Sequence, residues 1–192
     1  METPTEKPAE KSAVYNIPTK TPSRVPTRGG RGPGRKGPAR TALPMGTLLK
    51  GGAYQIVDVI GEGGFSITYL AHEGSRRLIV AIKEHFPLGC QREADMKVIP
   101  GAHWEPKAFA AALDDFVREG KLLKCFNHPG IVQSYSPFEE NGTAYLAMEY
   151  LQGESLLLGL QRRGAMNPTQ ALNVARQVGG ALQLVHDSSM IH

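Results

Sequence analysis

A cluster of small residues from Gly61 to Ser66 (GEGGFS) lies between two runs rich in β-branched side chains, at 54–60 and 66–71. In a short glycine turn between two strands, a phosphate can approach the backbone N–H groups closely because glycine has no Cβ. Glycine is also the ordinary residue of hairpins, so the cluster alone is equally compatible with a plain turn. It is therefore a candidate phosphate-binding loop whose role depends on the charges near it.

Two opposite charges stand at positions that are otherwise apolar. Lys83 ends the apolar run 77–83, so its ammonium group leaves a largely buried element and needs an anionic partner. A lysine that extends from a sheet edge into water is the alternative. Glu119 comes three residues after Phe116 and four before Leu123, which places its carboxylate on the apolar edge of a helix. If this helix packs on the strand, an ion pair between Lys83 and Glu119 satisfies both charges and leaves the ammonium directed at bound phosphates.

Other nucleotide-binding motifs are excluded. Residues 32–37 fit GxGxxG, but no strand precedes them, no helix follows them, and Pro33 removes an amide that a phosphate would need. No GxxxxGK[ST] loop occurs in the sequence, which excludes a P-loop NTPase.

Composition divides the 192 residues into a basic leader and a globular part. Residues 1–44 contain nine Lys or Arg and three Asp or Glu, together with eight of the fourteen prolines. This segment cannot bury enough apolar surface to fold, so we expect a disordered leader at 1–45 that could contact acidic partners. Two cysteines and the lack of a long apolar run predict a cytoplasmic protein without a membrane segment.

The hydrophobic pattern predicts three strands, a helix, two strands and then helices. The predicted elements are strands at 54–60, 66–71 and 77–83, a long loop at 84–105, a helix from 106 to about 127, strands at 131–138 and 143–150, and helices at 154–163 and from 168. Asn141 and Gly142 predict a tight hairpin between the last two strands. Asn167 is a candidate N-cap, with Pro168 in the first helical position.

Five of these segments, in this order, resemble the N-terminal lobe of protein kinases, in particular bacterial Ser/Thr kinases. They are the loop from Gly61 to Thr68, the run Val80 to Lys83 (VAIK), the helix with Glu119, the run His128 to Val132 (HPGIV), and the run Tyr145 to Leu151 (YLAMEYL). The resemblance covers about residues 54–192. It implies an α+β fold with an ATP-binding lobe at 46–153, made of a five-stranded antiparallel sheet and one helix. Two helices of an incomplete helical lobe would follow at 154–192.

The resemblance also implies roles for individual residues. Lys83 would hold the α and β phosphates of ATP, and Glu119 would brace it; these are the two residues with implied catalytic roles. The other positions implied to surround ATP are Ile60, Gly61, Glu62, Gly63, Gly64, Phe65, Ser66, Ile67 and Thr68 in and beside the loop, Ala81 against adenine, Met148 as gatekeeper, the Glu149 carbonyl and Leu151 amide at the hinge, and Glu154 near the ribose. Ser66 and Thr68 depart from the usual glycine and valine of the family, and the 36 positions from Lys83 to Glu119 are more than in many kinases.

The last residues, His186 to His192, resemble the approach to the catalytic His-Arg-Asp motif of kinases. The sequence ends on that histidine, so it contains neither the catalytic Asp nor the ligands for the Mg²⁺ that the family implies. We expect a Ser/Thr kinase by family whose residues 1–192 are inactive alone. A non-catalytic, pseudokinase-like module that binds a nucleotide or docks a partner is the alternative. The protein substrate is not indicated.

Overall fold

The computed structural model describes residues 42–74 and 78–188. Their centre is an antiparallel six-stranded sheet with the strand order β1-β2-β3-β4-β8-β7. The elements in chain order are β1 Leu48–Leu49, β2 Tyr54–Glu62, β3 Ser66–Glu73, β4 Leu78–His85, β5 Gln91–Arg92, β6 Val98–Ile99, α1 Pro106–Leu123, β7 Phe138–Glu140, β8 Thr143–Glu149, α2 Leu156–Arg163 and α3 Pro168–Asp187. The α+β architecture expected from the resemblance is confirmed, and β1 adds a short strand at the sheet edge.

The two faces of the sheet have different contents because successive side chains of a strand point to opposite sides. One face forms the apolar core, with alternate residues of the strands fully buried; these include Ile56, Ile67, Tyr69, Ala71, Val80, Ile82, Tyr145 and Ala147. Cross-strand pairing aligns Thr68 with Lys83 and Lys83 with Leu146, all on the opposite face. Lys83 therefore projects away from the core, toward the side on which α1 packs.

The N-terminal flank of the sheet belongs to the core. Leu43 is only 3% exposed, and its N–H donates a hydrogen bond to the Tyr69 hydroxyl at 3.1 Å. The folded part therefore includes Leu43, which precedes Gly46, the residue at which the resemblance implies that the lobe begins. The predicted disorder of the leader falls on residues 1–41, which lie outside the described residues.

The predicted strand at 131–138 is shorter than expected. Within this range only an isolated bridge between Ser134 and Met148 precedes β7, which begins at Phe138. Pro137 has no N–H to donate to a neighbouring strand, so a regular ladder cannot pass through it. The hairpin to β8 is confirmed: Asn141 and Gly142 both have positive φ, 54° and 65°.

The segment predicted as a long loop at 84–105 is partly regular. Its first two residues complete β4, and β5 and β6 pair as a small antiparallel hairpin. A two-residue strand is too short to show a recognisable alternation of apolar and polar residues, so the hydrophobic pattern did not predict β5 and β6. The hairpin adds ordered structure between Lys83 and α1.

The three helices occupy the predicted regions. Helix α1 begins at Pro106 as predicted and ends at Leu123, a few residues before the expected end. Helix α2 is capped by the Ser155 side chain, and α3 begins with the predicted Asn167 cap followed by Pro168. Within residues 42–74 and 78–188, no helix combines the length and the apolar character that a membrane span requires.

Candidate functional site

A cleft of about 540 Å³ lies between the glycine loop, the end of β4 and helix α1. This volume is within the range of sites that bind small molecules. Its walls are formed by Gly63, Gly64, Phe65, Ser66, Lys83, His85, Ala112, Asp115, Phe116 and Glu119. The structure therefore brings the glycine loop together with both residues that the kinase resemblance implied to be catalytic.

The glycine loop turns tightly between β2 and β3. The Gly63 N–H donates to the Ser66 carbonyl at 2.8 Å, which closes the turn. On its outer side, the tip carries the large side chain of Phe65, which is 76% exposed in the described structure. The carbonyls of Gly64 and Phe65 accept hydrogen bonds from residues that follow β4, at 2.9 and 3.0 Å. The tip is thereby attached to the segment that follows Lys83.

Strand register aligns four of the other predicted contacts beside the cleft. Gly61 pairs with Thr68, which pairs with Lys83. Ala81, which lies two residues before Lys83 on β4, pairs with Met148 on β8. Since residues two apart on a strand share a face, Ala81 and Met148 lie on the same face as Thr68 and Lys83. A flat ring bound there would continue from the phosphate end of the cleft along this face.

Lys83 and Glu119 share the cleft, yet no ion pair within 4.0 Å joins these two residues in the described part of the chain. The Lys83 Nζ instead lies 5.7 Å from the centroid of the Phe116 ring, within reach of a cation–π interaction. The expected bracing of Lys83 by Glu119 therefore requires a movement of either side chain or of α1.

His85 is a site residue that our sequence reasoning missed. The residue is 4% exposed, and its ring lies 5.5 Å from the rings of both Phe109 and Phe116. Burial, followed by the positive charge of Lys83, lowers the pKa of His85 to about 4, so the ring is neutral at pH 7. Its Nδ1 is buried without a hydrogen-bond partner in the described structure. The sequence did contain a signal for this residue. Side chains alternate between the two faces of a strand, so His85, two residues after Lys83 on β4, lies on the same face as Lys83.

Three further lining residues come from α1, namely Ala112, Asp115 and Phe116. They precede Glu119 by seven, four and three positions, which is the spacing of one helix face. Helical periodicity from Glu119 could have identified them. Asp115 is already paired with Arg118 at 2.6 Å on the exposed side of the helix.

Some predicted contacts lie elsewhere. The Ile67 side chain is fully buried in the core on the opposite face, so only its backbone borders the loop. Ile60, Gly61, Glu62, Thr68, Ala81, Met148, Glu149, Leu151 and Glu154 do not line the 540 Å³ cleft. The Glu149 carboxylate accepts a hydrogen bond from the Gln133 N–H at 2.7 Å, and Leu151 is 66% exposed. Their contacts with adenine stay predictions.

Glu154 is engaged by two arginines of α2. It pairs with Arg163 and, at 3.0 Å, with Arg162. The hydrogen bond from Arg163 is the main cause that lowers the pKa of Glu154. The predicted contact of Glu154 with a ribose would therefore compete with these two arginines.

The cleft contains two carboxylates, those of Asp115 and Glu119. No group of three or more His, Cys, Asp or Glu side chains converges on one point within residues 42–74 and 78–188. Protein-bound Mg²⁺ is usually held by carboxylates together with substrate phosphates. Of the two carboxylates in the cleft, Asp115 is already held by Arg118.

A protein-family model and several curated proteins match this chain. The sequence model of the protein kinase domain matches residues 54–192. Among curated relatives, the serine/threonine-protein kinase PrkC of Bacillus subtilis (strain 168) is 29% identical over 141 residues, which cover 73% of this chain and 19% of PrkC. The serine/threonine-protein kinase PksC of Streptomyces coelicolor is 30% identical over 156 residues, covering 77% of this chain and 25% of PksC. The chain thus spans about a fifth to a quarter of the length of these relatives.

Solved structures show the same fold. The apo form of PpkA-294 superposes with a TM-score of 0.57 at 35% identity, covering 64% of this chain and 43% of that one. Rad53 1–466 in complex with AMP-PNP, at 23% identity and a TM-score of 0.56, shares the fold over 73% of this chain and 32% of its own. The resemblance read from the motifs is confirmed: the chain belongs to the protein kinase family, with bacterial Ser/Thr kinases among its relatives.

Proposed function

We propose that this chain binds ATP in the cleft between the glycine loop and α1, as the nucleotide-binding part of a Ser/Thr protein kinase that acts in the cytoplasm. The observation that carries the proposal is the convergence of Gly63, Gly64 and Lys83 on one cavity. Backbone N–H groups of a glycine loop and a lysine ammonium are the donors that phosphates accept. With only two cysteines in 192 residues, the composition suits a reducing compartment.

Each group in the cleft has a specific role in this proposal. Lys83 binds the α and β phosphates, while the loop amides surround the phosphate chain. Adenine lies farther along the sheet face, beside Ala81 and Met148, which are paired across β4 and β8. Glu119 orients Lys83 once α1 approaches β4. Transfer of the γ-phosphate to a Ser or Thr hydroxyl would require a catalytic base that residues 1–192 do not contain.

Calorimetric titration with ATP tests the role of Lys83. Replacement of Lys83 by Met removes the cation that binds the phosphates, so ATP affinity should fall about tenfold or more, since hydrogen bonds to charged groups contribute roughly 1.5–3 kcal/mol. Adenosine affinity should change little. Lys107→Met is the matched control, because Lys107 lies exposed on α1 and does not line the cleft. Equal ATP affinity for the Lys83→Met and Lys107→Met variants would contradict the assignment.

A radiolabel assay separates ATP binding from transfer. The purified polypeptide of residues 1–192, with ATP and Mg²⁺, should phosphorylate neither a basic protein substrate nor itself, because a missing general base removes a large part of the catalysed rate. Incorporation clearly above that of the Lys83→Met variant would show that these residues transfer phosphate without the expected Asp. ATP binding without transfer is also what the alternative of a non-catalytic binding module predicts for these residues.

A further inference from the structure

The segment that joins β4 to α1, residues 86–105, contacts both walls of the cleft. We name it the linker hairpin because it contains β5 and β6. At its beginning, the N–H of Phe86 donates to the Phe65 carbonyl at 3.0 Å, and the N–H of Leu88 donates to the Gly64 carbonyl at 2.9 Å. Gly64 and Phe65 form the tip of the glycine loop. The position of this tip is therefore tied to residues 86–88.

The end of the linker hairpin is tied to the same residues by Trp104. The Trp104 indole Nε1–H donates to the Leu88 carbonyl at 2.9 Å, across 16 positions of sequence. The indole ring also meets Phe109 of α1 edge-on, with ring centroids 6.0 Å apart and an angle of 81°. A continuous series of contacts thus runs from Gly64 through Leu88 and Trp104 to Phe109.

From Phe109 the contacts continue along α1 toward the charged end of the cleft. Phe109 is 8% exposed and packs against His85, whose ring also lies beside Phe116. Phe116 precedes Glu119 by one helical turn and lies 5.7 Å from the Lys83 ammonium. Since a helix moves nearly as a rigid body, a displacement of Phe109 also displaces Phe116 and Glu119.

The linker hairpin is closed and anchored. An added Cβ on Gly101 would lie 2.0 Å from the Gly89 carbonyl oxygen, so the two ends of the segment approach each other at a point that admits only glycine. At its base, Arg92 forms an ion pair with Glu84 at 2.7 Å, with 2% and 0% of the two side chains exposed. Glu84 also accepts hydrogen bonds from the Tyr69 and Tyr145 hydroxyls at 2.6 and 2.9 Å. These contacts fix the segment at its closure and at its base.

We propose that Trp104 is a positioning residue that couples the glycine loop to helix α1, so that phosphate bound beneath the loop favours one position of Glu119. The proposal rests on the proposed ATP-binding function. Coupling of this kind is reciprocal: a helix position that suits Glu119 also favours the loop conformation that binds phosphate. Trp104 does not need to touch the nucleotide for this effect.

The full chain with Trp104→Phe tests the coupling. Phenylalanine keeps an aromatic edge against Phe109 but has no N–H for the Leu88 carbonyl. ATP affinity should fall about threefold to tenfold, while adenosine affinity, which does not depend on the loop tip, stays within a factor of two. Tyr135→Phe is the matched control, because it also removes an aromatic polar group but lies outside the linker hairpin.

Amide hydrogen exchange of the protein without nucleotide gives a second readout. In the Trp104→Phe variant, exchange should become faster both in residues 61–66 and in the first two turns of α1, relative to β2 and β3. A merely structural role would accelerate exchange throughout the sheet as well. Gly101→Ala, which disrupts the closure at Gly89, should give the same pattern, while Gly179→Ala should not, since its added Cβ meets open space.

Tryptophan fluorescence of the wild-type protein gives a third readout. The signal reports on Trp104 alone, because Trp104 is the only tryptophan in the chain. ATP should change its emission, whereas adenosine should not. Unchanged emission on saturation with ATP, together with wild-type exchange in the Trp104→Phe variant, would overturn the coupling. A failure of the proposed ATP-binding function can be distinguished from a failure of the coupling. In the first case the wild-type protein would not bind ATP in calorimetry, and the exchange pattern measured without nucleotide would still decide the coupling.

Discussion

At the scale of single residues, His85 shows how the cleft changes the chemistry of a side chain. Its imidazole is packed between Phe109 and Phe116 and lies on the same sheet face as Lys83. An ammonium nearby and an apolar surrounding both disfavour a second positive charge. The ring is therefore neutral at pH 7, and Lys83 is the charged side chain that this strand contributes to the cleft.

Stability should decrease in acid through His85. Burial lowers its pKa from 6.5 to about 4, so between these pH values the unfolded chain binds the proton more readily than the folded one. The contribution of neutral His85 is present above about pH 6.5 and is lost as the pH falls toward 4. A shift of this size corresponds to about 3 kcal/mol.

Urea unfolding at a series of pH values checks this loss. The free energy of unfolding of the His85→Phe variant, which keeps an aromatic ring in place, should depend less on pH between 6.5 and 4 than that of the wild type. His103→Phe is the control, because His103 is exposed in the loop before α1. Parallel pH curves for wild type and His85→Phe would show that His85 titrates normally in the folded protein.

At the scale of elements, helix α3 depends on its ends. None of the described residues 168–187 of this helix is buried, so tertiary packing stabilises it little. Asn167 accepts a hydrogen bond from the Gln170 N–H at 2.9 Å, and the Gln170 side chain accepts one from the Asn167 N–H at 3.3 Å. This capping box satisfies two amides that the helix itself leaves without partners.

Asn167→Ala should therefore lower the stability of α3 by about 1 kcal/mol. The helical signal in far-ultraviolet circular dichroism should decrease at 25 °C, and its thermal loss should begin at a lower temperature. Thr169→Ala, an exposed change within the same first turn, serves as control. An unchanged helical signal for Asn167→Ala would mean that packing and not the cap holds the helix.

At the scale of the whole molecule, the hydrophobic core includes Leu43, which lies at the start of the described residues. Leu43 lies in the core with Leu49 and Tyr54, and its backbone is bonded to Tyr69 in the middle of β3. By contrast, Met45, two positions later, is 75% exposed. The core of the sheet is therefore completed by a segment that composition assigned to the leader.

Leu43→Ala in the full chain should lower the free energy of unfolding by about 2–4 kcal/mol, because it removes a buried side chain and leaves a cavity. Met45→Ala should change it by less than about 0.5 kcal/mol, as expected of an exposed position. Chemical denaturation followed by circular dichroism measures both. Equal values for the two variants would place the domain boundary after Met45, as the composition had suggested.

The sequence by itself determined the features that depend on neighbouring residues. The glycine turn, the Asn141 and Gly142 hairpin, and the Asn167 cap each follow from the local conformational preferences of a few residues. The apolar run before Lys83 and the spacing around Glu119 predicted an ion pair; the structure places both residues in one cleft, but no ion pair joins them in the described part of the chain. The motifs in register were sufficient to identify the protein kinase family.

Only the tertiary structure decided which groups meet across the fold. The ion pair of Arg92 with Glu84, the burial of Leu43, and the link between Leu88 and Trp104 join residues that are distant in sequence or lie in irregular segments. No local preference encodes such contacts. For the same reason, spacing placed Lys83 and Glu119 in one cleft but could not show that Phe116 lies beside the ammonium, because that depends on how α1 packs on the sheet.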